Sequence, residues 1–392
     1  MKSDEARARI SDLSRLNAFI SLTDESGDGP TVAVKDLVDV RGTVTTAGGR
    51  LLPPVPATAD APVVASLRRH GCVIIGKTNL HEFAYGVTSE NPHYGNVLNP
   101  RDESRVAGGS SGGSAVAVAA GMCDLGIGTD TGGSIRIPAS LCGVTGIKPS
   151  FGSLSTEGVI PLAPSLDTVG LLASDVISAA LGLEMMGGPT GLIPAAERPQ
   201  EYRLAVPAGW VEDLDAETAA AWAQVSTGIP EVTFPRRRQL WELANLVLTV
   251  EAAAYHQRWL ESSPRQYGAD VRGRIGLGLD VPAADYKDAI QQLGRVREEA
   301  DRALDGWDAL LVPATAIVAP RVGQADALRE PLSRFTRPFN ATGQPVVCLP
   351  APVQGLPVGI QVVSRRGEDA LAIRVAAALQ WSWGVATMEQ VG

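Results

Sequence analysis

TVAVKDLVDV (residues 31–40), APVVASLRRHG (residues 61–71) and CVIIG (residues 72–76) decide the fold of this 392-residue chain. The first segment is rich in β-branched residues and predicts a strand, and the last is a short apolar run that predicts a second, buried strand. Between them, Pro62 suits a first helical turn and Gly71 suits the end of a helix. A strand, a helix and a strand in this order predict the α/β class.

The later sequence continues this alternation of strands and helices. ALLVP (residues 309–313), PVVCLP (residues 345–350) and PVGIQVV (residues 357–363) predict further strands, and GEDALAIRVAAALQW (residues 367–381) predicts a closing helix. The pattern from about residue 200 to 305 is mostly helical. We expect a helical insertion there, packed on the α/β body.

The composition argues against several classes of partner. The formal net charge is −9, which would repel a nucleic acid, and the run of arginines at residues 236–238 is typical of a solvated loop or helix start. The chain has no uninterrupted apolar stretch long enough for a bilayer, so no membrane partner is expected. The first residues, MKSDEARARI, lack the apolar core of a signal peptide. Four scattered cysteines without C-x-x-C spacing fit a reducing, cytoplasmic location.

The sequence also predicts neither a metal nor an organic cofactor. The four histidines are spread without ligand spacing. GGSSGGS (residues 108–114) lacks the lysine that a P-loop needs after its last glycine, and GIGTDT (residues 126–131) has a threonine where the dinucleotide fingerprint needs its third glycine.

Lys35 is a candidate general base. Only five of the 34 basic residues are lysines, and Lys35 shares a strand face with Ala33 and Leu37, which predicts burial. Burial can lower the pKa of a lysine from about 10.4 by up to roughly 3 to 5 units, because the ammonium loses its hydration. The alternative is that Lys35 forms an ion pair with another segment.

GTDTGGSIRIPAS (residues 128–140) contains the candidate nucleophile, Ser134. Hydrolysis of an amide needs an activated hydroxyl, a carrier for its proton and donors for the oxyanion. We expect backbone N–H groups of Thr131, Gly132 and Gly133 to form this oxyanion hole, although the same residues would also suit an ordinary tight turn. A competing interpretation takes GGSSG (residues 108–112) as a nucleophile elbow, but only His256 follows it, in a helix-like run that favours a structural histidine.

Taken together, these motifs resemble the amidase signature family. VAVKDLVDV carries the family's lysine, GGSSGGSAVAVAAG its glycine-serine loop and GTDTGGSIRIPASLCGVTGIKPS its nucleophile loop, and FNATGQPVVCLPAP is similar to a later family pattern. The resemblance extends from Leu16 onward and is weakest in the helical middle. It implies an α/β/α sandwich with a mixed central sheet, as a single domain over residues 1–392.

The resemblance also implies roles for individual residues. Ser134 would be the acylated nucleophile, Ser110 a bridging serine in a cis peptide after Gly109, and Lys35 the neutral base. The adjacent Ser111 leaves open which of the two serines bridges. Ala84, Tyr85 and Gly109 are the predicted substrate-binding residues, with core packing as the alternative for Tyr85. Arg136 and Lys148 are expected to hold the loop electrostatically.

The function implied is hydrolysis of a small-molecule carboxamide through a serine acyl-enzyme, with release of ammonia or an amine. The alternative within the same family is a glutaminase-like subunit of a tRNA-dependent amidotransferase, which would use the same triad and require a partner protein. A homodimer is a further possibility. The sequence does not name the amide, because the pocket side chains come from the variable helices.

Overall fold

A computed structural model of the chain describes residues 1–192 and 201–384. The strands are β1 (Phe19–Leu22), β2 (Thr31–Lys35), β3 (Val73–Thr78), β4 (Leu98–Asn99), β5 (Asp102–Val106), β6 (Leu125–Asp130), β7 (Thr145–Lys148), β8 (Thr168–Ala173), β9 (Leu204–Pro207), β10 (Glu231–Val232), β11 (Ala309–Pro313), β12 (Val346–Pro350) and β13 (Gly359–Val363). The helices are α1 (Ser3–Asp12), α2 (Pro62–Arg69), α3 (Gly112–Ala119), α4 (Arg136–Cys142), α5 (Val176–Met185), α6 (Ala216–Ser226), α7 (Arg237–Ser262), α8 (Ala269–Gly276), α9 (Ala283–Ala303), α10 (Arg329–Ser333), α11 (Pro338–Thr342) and α12 (Asp369–Ser382).

Within these ranges, an 11-stranded sheet runs in the order β1-β3-β2-β6-β8-β7-β12-β13-β11-β9-β10. The pairs β2–β3, β2–β6, β9–β11 and β9–β10 are parallel, and the other neighbours are antiparallel. The mixed sheet confirms the predicted fold class. β2, α2 and β3 form the expected β-α-β unit, because β2 and β3 are parallel neighbours and α2 lies between them in the chain.

The strand predicted over residues 31–40 is shorter than expected. It ends at Lys35, where the N–H of Val38 donates to the carbonyl of Lys35 at 3.0 Å and starts a turn. The β-branched residues beyond this point are buried in a loop, so the composition of the segment alone overstated the length of the strand.

Helices cover both faces of the sheet. On one face, Val32 and Val34 of β2 belong to a core shared with α2, α5 and α12. On the other face, Ala33 packs in a core with α1, α3 and α4, and a neighbouring core is formed with α7, α8, α9 and α11. Alternate residues of β2 therefore enter opposite cores, which is the α/β/α arrangement. Lys35 lies on the same face of β2 as Ala33.

The predicted helical insertion is only partly helical. α6 to α9 lie within it, but β9 and β10 extend the sheet, with Ala309 of β11 opposite Leu204 in parallel pairing. These strands are four and two residues long, too short for a periodic signal to distinguish them from the surrounding helices. Residues 193–200 and 385–392, which the predicted domain includes, lie outside the described residues.

Helix length and polarity bear on the membrane prediction. Of the helices in residues 1–192 and 201–384, none is both long and apolar enough to cross a membrane.

Candidate active site

The candidate site lies at the carboxyl ends of two parallel strands. Lys35 is the last residue of β2, and Thr129 is the penultimate residue of β6. Val34 pairs with Ile127 across these strands, so the side chains of Lys35 and Thr129 lie at the same edge of the sheet. The loops that follow the strands carry the remaining residues of the site, as in other open α/β sheets.

Lys35 is fully buried among hydroxyl groups. Its Nζ donates to Ser110 Oγ and to Thr129 Oγ1, both at 2.8 Å. Burial lowers the pKa of Lys35 to about 7, against the opposing attraction of the Asp130 and Asp167 carboxylates. Among the described carboxylates, none lies within ion-pair distance of Lys35, so the direct ion pair considered from the sequence is not formed.

The geometry distinguishes the two adjacent serines. The Gly109–Ser110 peptide is cis, and the Ser110 hydroxyl accepts the hydrogen bond from Lys35. The Ser111 hydroxyl instead donates to the carbonyl of Thr129 at 3.2 Å. A side chain at Gly109 would lie 2.8 Å from the backbone nitrogens of residues 88 and 89, so this position requires the close approach that glycine allows. Ser110 is therefore the serine next to Lys35.

Ser134 lies in the loop between β6 and α4. Its carbonyl accepts the N–H of Ser111 at 3.1 Å, which joins this loop to the loop that carries Ser110. Ser134 is 6% exposed, and its hydroxyl is hydrogen-bonded to none of the described residues. The side chain thus remains available to an incoming electrophile.

The three predicted donors of the oxyanion hole differ in their hydrogen bonding. The N–H of Gly133 donates to Asp130 Oδ1 at 2.8 Å, so this amide is already engaged within the loop. Gly133 has φ +123°, and a Cβ there would lie 2.1 Å from Thr336 Oγ1, so the residue shapes the turn. The N–H groups of Thr131 and Gly132 donate to nothing within the described chain and remain the candidate donors.

Asp130 holds the nucleophile loop together with a buried guanidinium. Arg136 donates to both carboxylate oxygens of Asp130, at 2.8 and 2.9 Å, and to the side chains of Asn340 and Gln361. Burial would raise the pKa of Asp130, but the Arg136 charge and the hydrogen bonds from Arg136 and Asn340 outweigh it and hold this pKa well below its usual range. Arg136 thus has the structural place expected for it.

Lys148 makes no hydrogen bond to Asp130 or Arg136. Its Nζ donates to the carbonyl of Pro149 at 3.0 Å, and burial lowers its pKa to about 7. Sequence reasoning missed Asn340, which donates to Asp130, and it did not predict that the Thr129 hydroxyl accepts from Lys35. The FNATG stretch was a usable signal, since its asparagine is the one that binds Asp130.

The predicted substrate-binding residues occupy different environments. Ala84 lines a cavity of about 230 Å³ together with Leu37, Thr129 and Thr131, so this cavity adjoins the site. Tyr85 is 2% exposed and its hydroxyl lies 3.3 Å from Thr249 Oγ1, which is the core packing considered as its alternative. Contact of any of these residues with substrate stays a prediction.

The elbow interpretation finds no support in the geometry. His256 is buried beside Phe83, its Nδ1 lies 2.9 Å from the Tyr267 hydroxyl, and burial lowers its pKa to about 4. It makes no hydrogen bond to Ser110 or Ser111. Across the described ranges, no group of three or more His, Cys, Asp or Glu side chains is arranged to hold a metal ion.

The fold and site define a class: an α/β fold in which a buried lysine is hydrogen-bonded to a serine on a glycine-rich loop, with a second serine on the adjoining loop. The chain belongs to the Amidase family, whose sequence model matches residues 28–373.

Comparisons with individual proteins agree with this family assignment. The chain is 38% identical over 384 residues to the AtzE subunit of 1-carboxybiuret hydrolase from Pseudomonas sp. (strain ADP), covering 90% of this chain and 83% of that protein. It is 37% identical to a glutamyl-tRNA(Gln) amidotransferase subunit of Koribacter versatilis (strain Ellin345), covering 90% and 84%. Among solved structures, an amidase superposes with a TM-score of 0.88 at 35% identity, covering 97% of this chain and 95% of that one. The protein is an amide-hydrolysing enzyme of this family.

Proposed function

We propose that this enzyme hydrolyses a small-molecule carboxamide through an acyl-enzyme on Ser134, with Ser110 as proton relay and Lys35 as base. One observation carries the proposal: Lys35 is fully buried, its Nζ lies 2.8 Å from Ser110 Oγ, and its pKa is lowered to about 7. An amine with this pKa is partly neutral at physiological pH and can therefore accept a proton.

In the first half-reaction, Ser134 Oγ forms a bond to the amide carbon while its proton passes to Ser110 and that of Ser110 to Lys35. The carbonyl electron pair moves onto oxygen, and the free N–H groups of Thr131 and Gly132 stabilise the resulting oxyanion. Collapse of this intermediate breaks the C–N bond. Lys35 returns its proton through Ser110 to the leaving nitrogen, and ammonia or an amine departs.

In the second half-reaction, water replaces the amine. It adds to the acyl carbon and its proton passes through Ser110 to Lys35. The C–O bond to Ser134 then breaks while Lys35 returns the proton through Ser110 to Ser134 Oγ, and the acid leaves. Lys35 becomes cationic in each intermediate of the cycle, and the carboxylates of Asp130 and Asp167 stabilise that charge without an ion-pair contact. Each cycle returns the three side chains to their starting protonation.

The cavity beside Ala84 and Thr131 supports a small substrate, since about 230 Å³ admits an amide with a short substituent. The relative named as part of a glutamyl-tRNA(Gln) amidotransferase favours the second candidate, a glutaminase-like subunit. That function would require a partner, and copurification with one, or activity that appears only in its presence, would support it. A cytoplasmic location and a homodimer remain sequence-based predictions.

A serine-reactive phosphonate tests the proposal directly. We expect one adduct in the intact mass of the wild-type protein, mapped to Ser134, no adduct in Ser134→Ala, and much slower labelling in Lys35→Met. His256→Ala should label and release ammonia from amides like the wild type. Labelling of Ser134→Ala at Ser110 or Ser111, or loss of labelling in His256→Ala, would instead support the elbow arrangement.

A further inference from the structure

A buried guanidinium lies directly against the oxyanion loop. Arg337 is 2% exposed, and a Cβ built on Gly132 would lie 2.9 Å from its Nε. Gly132 carries one of the candidate N–H donors for the carbonyl oxygen. A side chain at this position would lie between the guanidinium and the loop, so the glycine keeps the two in contact.

Two contacts hold this guanidinium in place, and a third holds the residue before it. Its Nη1 donates to Asn245 Oδ1 at 2.7 Å, and its Cζ lies 4.8 Å from the centre of the Trp241 ring. The preceding residue, Thr336, donates from its hydroxyl to the carbonyl of Gly132 at 3.0 Å. The orientation of Arg337 relative to the oxyanion loop is therefore set by α7 and by its own neighbour in the chain.

The charge of Arg337 is not balanced by an acid. In the described part of the chain, no carboxylate forms an ion pair with it, and its buried Nε has no hydrogen-bond partner. Burial, together with the nearby charges of Arg329 and Arg274, lowers the pKa of Arg337 to about 9. A buried cation without a counter-ion is costly, and an anion that binds here recovers that cost.

The two neighbouring arginines both contact Tyr85. The Cζ of Arg329 lies 5.2 Å from the centre of the Tyr85 ring, and Arg274 Nη1 donates to the Tyr85 carbonyl at 2.6 Å. Asp270 forms an ion pair with Arg274 at 3.1 Å and a contact with His81 at 3.0 Å. Three guanidinium groups therefore share one neighbourhood beside the site, in a protein whose overall charge is −9.

We propose that Arg337 binds a carboxylate of the substrate, so that the natural substrates are short amides that also carry a carboxylate. The inference rests on the proposed function, because it identifies the substrate class of that same site. Since the guanidinium borders the loop that receives the carbonyl oxygen, the carboxylate lies only a few bonds from the scissile amide. A planar guanidinium pairs with a carboxylate through directed hydrogen bonds, which makes Arg337 a specificity-determining residue.

The test compares amides that differ only in charge. Malonamate, succinamate and glutaramate are paired with propionamide, butyramide and valeramide, in which a methyl group replaces the carboxylate. We expect the wild type to prefer at least one charged member of a pair. Arg337→Met should lower kcat/KM for that substrate by about ten- to a hundredfold, mainly through KM, and change the uncharged partner by less than about threefold. Arg337→Lys should retain part of the preference.

A second variant covers the case in which Arg337→Met does not fold. Asn245→Asp is nearly isosteric and places a carboxylate against the guanidinium, so it should reduce the preference for the charged amide while Arg337 is retained. Arg238→Met, on an exposed side chain of the same helix, should leave the preference unchanged. An equal loss for both members of each pair, or no preference in the wild type, would overturn the inference.

The two proposals fail in different ways. If Ser134 does not label and no amide is hydrolysed, the proposed function fails. If Ser134 labels and uncharged amides are hydrolysed as well as charged ones, only the carboxylate inference fails. If Ser134 labels but no amide of the panel reacts, competition decides: protection of Ser134 by malonate, succinate or glutarate in the wild type, lost in Asn245→Asp, supports the inference, and absence of protection overturns it.

Discussion

Two fully buried lysines, on adjacent parallel strands, show how differently one residue type can be used. Lys77 of β3 is paired with Val34, next to Lys35 on β2. Lys77 Nζ lies 2.8 Å from Asp36 Oδ1 and 3.1 Å from Thr45 Oγ1, whereas Lys35 contacts only hydroxyls. In this pair the partner, and not burial by itself, distinguishes the structural lysine from the candidate base.

The position of one carboxylate, that of Asp36, produces this difference between Lys77 and Lys35. Asp36 follows Lys35 directly in the sequence, but the turn at the end of β2 places its side chain against Lys77. Asp36 also accepts hydrogen bonds from the hydroxyl and the N–H of Thr46, which hold it there. Lys35 is thereby left without the neighbour that would keep it charged.

The largest expected effect is the loss of activity when Lys35, and not Lys77, is replaced. Lys35→Met should lower kcat by about a thousandfold or more, because the proton of Ser134 then has no acceptor. The protein should remain folded, since methionine replaces the side chain at similar volume. Steady-state ammonia release measures kcat, and a thermal melt measures whether the variant is folded. An active Lys35→Met would refute the assignment of the base.

The next effect concerns stability. Lys77→Met should lower the free energy of unfolding by about 3 to 5 kcal/mol, because Asp36 is left as a buried charge without its partner. The double variant Lys77→Met/Asp36→Asn should recover part of this loss. Urea denaturation measures the difference. The comparison breaks down if Lys77→Met is as stable as the wild type while Lys35→Met unfolds.

A third variant gives Lys35 the environment of Lys77. Thr129→Asp places a carboxylate where the hydroxyl now accepts from Lys35, and an opposite charge this close should raise the pKa of the amine by about 1 to 3 units. Activity at pH 7 should fall by about ten- to a hundredfold, and recover in alkaline solution. Thr129→Val, which removes the hydroxyl without adding charge, should show no such alkaline shift. If both variants have the same pH profile, the charge of Lys35 does not limit the rate.

The smallest effect is the pH dependence of the wild type. The pKa of Lys35 is lowered to about 7, and only the neutral amine accepts a proton. Activity should therefore be constant above this pH and fall about tenfold for each pH unit below it. The dependence of kcat/KM on pH, measured with an uncharged amide such as butyramide, checks the sign and the midpoint. A rate that rises toward acid would require the protonated amine instead.

Some of the site was predictable because its residues are close in sequence and chemically unusual. A lysine in an apolar strand and a serine after two glycines identified Lys35 and Ser134, and the β-α-β segment identified the fold class. The sequence did not predict that the Gly133 amide donates to Asp130, because this bond depends on how the loop folds back on β6. β9 was missed because only its pairing with β11 makes four residues a strand.

The sequence by itself determined the alternation of strands and helices, the family motifs and the candidate residues, since periodicity and residue type are local properties. Tertiary structure decided the rest: which lysine receives Asp36, which of two adjacent serines meets Lys35, and that Arg337 lies against Gly132. The physical reason is that pKa values and hydrogen bonds depend on distances of a few ångströms between segments far apart in the chain. Such distances exist only once the sheet has assembled.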